Sequence, residues 1–200
     1  MVSKKAQKAR VKAARSRPDR VPALLRHFLT RQMLRKTEII QAFELAFAGV
    51  VLGEGMNLRR TEVASSCGEQ PFDFSDPEAN VVDDWRAIPL RELNRAHMAY
   101  LDAAGWRYYL PAMAIALLDD YEDDQYGPSE MRIIGTLMSL DIQESLGSHE
   151  YFYSTLTLAQ KCAIALYLQH LPSWVELNIS DVRLRKRALK NYWVQFLVEV

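Results

Sequence analysis

The stretch from Leu110 to Leu118 constrains the fold most, because its residues are apolar on every face of a helix. Pro111 suits the first turn of a helix, where a missing amide hydrogen costs nothing. Trp106, Tyr108 and Tyr109 precede this proline, and the chain there is biased toward extended geometry. We therefore expect a central buried helix that begins near Pro111, with aromatic rings plugging the end of a bundle.

The chain before this stretch predicts further helices. After Thr37, a residue type suited to an N-cap, apolar residues recur at helical spacing until Gly49. A short helix is expected from Asn57. Another helix is expected to begin at Pro89 and to end at Gly105, since proline favours the first turn and glycine the C-terminal end. Residues 67–84 lack any period and predict a loop.

The chain after this stretch predicts helices too. Ser129 is expected to cap one, and Thr157 with Gln160 has the spacing of a capping box ahead of another, which Pro172 ends. A last amphipathic helix is expected from about Ser180, with an apolar side that continues to Leu197 and a solvated basic face on the other side. That basic face consists of Arg183, Lys186, Arg187 and Lys190. No period-two strand pattern and no repeat is found. The predicted fold is all-α, a single irregular helical bundle.

Charge is divided unevenly along the chain. Residues 1–36 hold twelve lysines and arginines against one acid, whereas residues 61–160 hold five against eighteen. The first 20 residues offer no apolar stripe to bury. We therefore expect a flexible basic arm at residues 1–20, a helical domain at residues 21–200, and an acidic body.

Several classes of protein are disfavoured. Cys67 and Cys162 lie far apart without neighbouring ligands, which disfavours a disulfide framework or a zinc site. The acidic run DDYEDD at residues 119–124 lacks the glycine and the glutamate spacing of a calcium loop. No segment has the length of a membrane span, and no secretory signal is recognised. The Arg-rich, acid-poor start would also suit an organellar transit peptide in a eukaryotic source. We expect a cytoplasmic protein with no metal, no cofactor and no membrane contact.

No catalytic signature is found, because the four histidines are scattered and no serine or cysteine has a nucleophile-elbow context. A candidate binding site is formed instead by Trp85, Asp102, Arg107 and Tyr109. The functional interpretation places Arg107 and Tyr109 at the N-terminus of the central helix, where free amides favour an anion or an acidic partner. The structural interpretation makes the same residues part of the core.

A family resemblance rests on short motifs in a fixed order. These are Ala42-Phe43, Asp84-Trp85, Tyr100-Leu101-Asp102 with Gly105, Tyr109-Leu110-Pro111 and Leu158-Ala159-Gln160. Together they resemble a chiefly bacterial domain-of-unknown-function family marked by an Ala-Phe pair and a Tyr-Leu-Pro motif. The resemblance covers roughly residues 37–171, outside the arm and the last helix. It implies a small helical domain without an established activity.

Three functions remain open. The first is a non-enzymatic protein-interaction function, like that of an immunity or adaptor protein, in which the acidic body meets a basic partner. The second is a nucleic-acid- or ribosome-associated function that uses the basic arm and the basic face of the last helix. The third is an uncharacterised enzyme with a pocket at the four candidate residues.

Overall fold

The computed structural model describes residues 21–65, 82–94, 100–119, 121, 132–142 and 149–197. Within these ranges the chain is helical or connecting and contains no strand, which confirms the predicted all-α bundle. The α-helices are α1 (Ala23–Leu29), α2 (Lys36–Ala46), α3 (Leu58–Ser65), α4 (Leu90–Leu93), α5 (Ala103–Asp119), α6 (His149–Ser154), α7 (Leu158–His170) and α8 (Ile179–Asn191). Short 3₁₀ segments span Trp85–Ala87, Leu171–Ser173 and Trp193–Leu197, and a π-helical turn spans Ile134–Met138.

Helix α5 is central, because thirteen of its 17 residues are buried. It begins at Ala103, eight residues before the predicted start at Pro111. Gly105 therefore lies in its first turn, and the prediction that Gly105 ends a helix is wrong. Pro111 lies inside the helix, where it removes one backbone hydrogen bond at a cost of about 3 kcal/mol. Burial of the surrounding apolar side chains offsets that cost.

Helix α7 is the second central helix. Thr157 and Gln160 form the predicted capping box, in which the Thr157 hydroxyl accepts from the Gln160 amide and the Gln160 side chain accepts from the Thr157 amide. The helix ends at His170, and Pro172 lies in the 3₁₀ turn that follows. The buried apolar side chains of all these elements form one core.

Helix α2 begins earlier than predicted. Its N-cap is Arg35 rather than Thr37, because the Glu38 carboxylate accepts a hydrogen bond from the Arg35 amide at 2.7 Å. Arg31, just beyond α1, also pairs with Glu38, which links α1 to the first turn of α2. This arrangement lowers the pKa of Glu38, through the Arg35 amide first and the two guanidinium groups next. The short helix predicted from Asn57 is α3, and the Asn57 side chain caps it by accepting from the Arg60 amide at 2.9 Å.

The last predicted helix is divided. Helix α8 begins after Asn178, ends at Asn191, and is followed by a 3₁₀ segment, so the single apolar face expected to continue to Leu197 is interrupted. Arg187, predicted on the solvated basic face, is half-buried and forms an ion pair with the fully buried Asp141. Ser129 lies outside the described residues, as do most of residues 67–84 and residues 1–20.

No helix in the described ranges combines the length and the apolarity needed to cross a bilayer.

Candidate functional site

Asp102 holds the first turn of α5. Its Oδ1 accepts hydrogen bonds from the Gly105 amide at 2.7 Å and from the Met56 amide at 3.1 Å. A side chain at position 105 has no room, since a Cβ there would lie 2.4 Å from the Met56 carbonyl oxygen. The carboxylate and the glycine therefore join the turn that precedes α3 to the start of α5.

Arg107 and Tyr109 lie within α5 rather than at its N-terminus. The Arg107 Nε donates to the Gln160 Oε1 at 3.1 Å, and the same oxygen accepts from the Thr157 amide in the capping box of α7. The free amides of the first turn precede Arg107, because the helix starts at Ala103. The predicted placement at the N-terminus of the central helix is wrong for this reason.

Tyr109 is buried beside its neighbour Tyr108. Burial raises the pKa of Tyr109 to about 12, against the opposing effect of a hydrogen bond with the backbone of Leu58. Tyr108 donates to the Val82 carbonyl, and burial raises the pKa of its hydroxyl as well, with Tyr109 adding to the effect. The two rings meet edge to face with centroids 4.9 Å apart. Both phenols therefore stay protonated at neutral pH and serve as packing groups.

Trp85 lies in the 3₁₀ segment Trp85–Ala87, which packs against α5. Its indole Nε1 donates to the Phe47 carbonyl at 3.2 Å, and the Arg86 guanidinium lies 5.3 Å from its ring centroid. The four candidate residues thus contact three different parts of the chain: Phe47, the segment from Met56 to Leu58, and Gln160. Of the four, Trp85 alone lines either of the grooves described next.

The first of these, the α5 groove, lies between α2, the Trp85–Ala87 turn, α4 and α5 and has a volume of about 340 Å³. The side chains that line its interior are apolar: Ile40, Trp85, Ile88, Leu90, Leu93, Ala112, Ile115 and Ala116. The charged lining residues are all exposed and therefore define its rim: Glu44, Arg86 and Asp119. A groove with an apolar interior and a charged rim can accept an apolar side chain from a segment that also carries charge.

The second groove, called the Trp174 groove, has a volume of about 470 Å³ and lies between the end of α5 and the segment 174–178. Tyr121 holds that segment in place, because its hydroxyl accepts from the Asn178 amide at 2.9 Å and donates to the Asp181 carboxylate at 3.0 Å. Asp119 lines both grooves, so they adjoin at the end of α5.

The rim of the two grooves is acidic. Glu44 and Glu176 are exposed and form no ion pair within the described chain, whereas Asp119 pairs with Lys36 at 2.7 Å. Arg86 is the basic lining residue, and it pairs with Asp84 at 3.2 Å. Of the acidic run at residues 119–124, only Asp119 and Tyr121 are described.

Other chemical sites find little support in the described ranges. They contain no group of three or more histidine, cysteine or acidic side chains placed to hold a metal ion. His170 is buried against Trp174, with ring centroids 6.1 Å apart, and burial lowers its pKa. Cys162 is fully buried, and His97 lies outside the described residues.

Comparison with known proteins identifies a family and nothing more specific. A model described as "Family of unknown function (DUF6714)" matches residues 35–197. The match extends through α8, which the motif resemblance had placed outside the family. No curated protein and no solved structure matches the chain.

Proposed function

The chain belongs to a family of unknown function (DUF6714), and from its surface we propose that it is a non-enzymatic interaction protein. Its α5 groove binds a basic amphipathic segment of a partner protein. The observation that supports this is an apolar interior bordered by two acids, Glu44 and Glu176, that lack an ion-pair partner among the described residues. Glu44 lines the α5 groove, and Glu176 lines the Trp174 groove, which adjoins it at Asp119.

The partner's chemistry follows from that combination. An amphipathic helix inserts apolar side chains at three- and four-residue spacing, and the α5 groove offers Leu90 and Ile115 to receive them. Lysines or arginines on the flanks of such a segment would meet Glu44 and Glu176. The electrostatic attraction favours basic over acidic segments and accelerates association at low salt.

The four candidate residues have different roles in this proposal. Trp85 forms part of the groove wall, where only 2% of it is exposed. Asp102, Arg107 and Tyr109 are positioning residues that hold α5 against its neighbouring segments.

The test uses a fluorescent helical peptide of leucine and lysine, about 18 residues or five turns long, and the same peptide with glutamate replacing lysine. Leu90→Ser and Glu44→Lys should each weaken binding of the lysine peptide by about tenfold or more in fluorescence anisotropy. Leu45→Ser and Glu54→Lys are matched controls outside the lining. Leu45 is 37% exposed and Leu90 42% exposed, so the two leucine variants remove similar surface.

The controls should retain the affinity of the native chain. The proposal fails if the lysine peptide does not bind, if the glutamate peptide binds equally, or if the control variants weaken binding as much as the groove variants.

A second candidate function, nucleic-acid binding, is favoured by one specific observation on α8. Arg183, Lys186 and Lys190 are exposed, share one face, and have no ion-pair partner in the described chain. With the basic arm they would contact phosphates, and such binding would weaken steeply as salt rises. Failure of the native chain to bind RNA or DNA at low salt would remove this candidate.

A further inference from the structure

The acidic rim and the basic residues 1–20 belong to the same chain and carry opposite charge. Glu44 and Glu176 are exposed without an ion-pair partner in the described ranges, and Asp119 lies between them at the junction of the two grooves. Residues 1–20 carry eight lysines and arginines against one acid. Opposite charges tethered in one chain attract each other unless distance separates them.

Distance does not separate them. The arm joins the described chain at Val21, just before α1, and α1 has 7 residues and therefore a length of about 10 Å. Arg31, beyond the end of α1, pairs with Glu38 in the first turn of α2, and Lys36 in the same turn pairs with Asp119. Twenty residues can extend to about 65 Å, which is ample for the arm to reach the rim.

We propose that residues 1–20 bind the acidic rim formed by Glu44, Asp119 and Glu176, and so compete with a basic partner segment for the same surface. This rests on the proposed function of the α5 groove. The arm lacks an apolar stripe, so it occupies the rim and leaves the apolar interior unfilled. A partner that supplies both basic and apolar side chains therefore displaces it.

The competition lowers the apparent affinity for the partner by an amount that can be measured. A tether of about 20 residues holds its end at an effective concentration of about 1 mM. If the arm binds the rim with a Kd of about 0.1 mM, it lowers the apparent affinity for the partner by about tenfold. Because of this loss of affinity, weakly basic segments do not displace the arm from the rim.

The experiment compares two full-length variants that each lose three positive charges. One carries glutamine at three arm positions: Lys4, Lys5 and Lys8. The other carries glutamine at the three exposed positions of α8: Arg183, Lys186 and Lys190. The leucine–lysine peptide is the probe, and its Kd is measured for both variants and for the native chain.

The arm variant should bind the peptide several-fold more tightly, while the α8 variant should match the native chain. In a background of Glu44→Gln with Glu176→Gln, the arm substitutions should cause a much smaller change, because of their target only Asp119 remains and it pairs with Lys36. Equal tightening by both variants would indicate a general effect of net charge and would overturn the inference.

The two proposals fail in different ways. If the arm variant and the α8 variant both bind the peptide with the affinity of the native chain, the arm inference is wrong and the proposed function stands. If the peptide binds none, the proposed function is wrong, and isoleucine methyl spectra still test the arm. Ile40 and Ile115 each lie one helical turn before a rim acid, Glu44 and Asp119, so their methyl groups should shift between the native chain and the arm variant, whereas those of the buried Ile164 should not. Unchanged spectra would overturn the inference.

Discussion

Replacing Pro111 by alanine tests where the central helix begins. Pro111 is the ninth residue of α5, so the Arg107 carbonyl four residues earlier lacks its usual amide partner. Restoring that hydrogen bond and removing the ring clash is worth about 3 kcal/mol. Against this, the buried position loses two methylene groups at about 0.8 kcal/mol each. The unfolded chain also gains freedom worth about 0.4–1 kcal/mol.

The balance predicts a variant that is equal to the native chain or more stable by about 1 kcal/mol. A proline in the first turn would relieve no clash, and its replacement would cost about 2 kcal/mol. Urea unfolding distinguishes the two. Pro172→Ala is the control, because Pro172 is exposed in the first turn of a 3₁₀ segment, and its loss should cost about 0.4–1 kcal/mol. A loss of 2 kcal/mol or more for Pro111→Ala would refute the reasoning.

Three further predictions concern stability, pH and salt. Leu110→Ala should cost about 2–5 kcal/mol in urea unfolding, since Leu110 is 1% exposed. Arg107→Ala should cost clearly less, because Arg107 is only half-buried, and equal costs would contradict this. The pKa of Glu38 is lowered on folding, so its contribution to stability is present above its unfolded pKa near 4.5 and is lost as pH falls through the folded value. The stability difference between the native chain and Glu38→Gln should therefore shrink below about pH 4.5, and a constant difference would show that the charge of Glu38 is not responsible. If the arm binds nucleic acid, neutralising the basic residues within residues 1–20 should reduce the salt slope of RNA binding, and an unchanged slope would exclude the arm.

The candidate site was only partly accessible to sequence reasoning. Trp85 is one of the four candidate residues and belongs to a motif of the family resemblance, and it does line the α5 groove. Leu90 and Glu44 were missed, since a leucine after a proline and a glutamate on a helix are ordinary in sequence. They become a groove only when α2 and α4 pack on the same side of α5. No periodicity in the chain reports that packing.

Short-range patterns determined the fold class and several helix ends. Helical spacing of apolar residues and the Thr157–Gln160 capping box involve partners within three or four positions, so the interacting groups are already close in the unfolded chain. The sequence also determined that a basic segment precedes an acidic body.

Only the tertiary structure decided where α5 begins and what its polar residues contact. Asp102 accepts from the Met56 amide, 46 residues away, and Arg107 donates to Gln160, 53 residues away. Asp102 caps the helix by accepting from the Gly105 amide, so Gly105 lies inside α5. Glycine is required there because the Met56 carbonyl oxygen occupies the space that a side chain would fill. The free energy of these contacts depends on which distant segments pack together, and local propensity, worth at most about 1 kcal/mol for a residue such as glycine, is overridden by them.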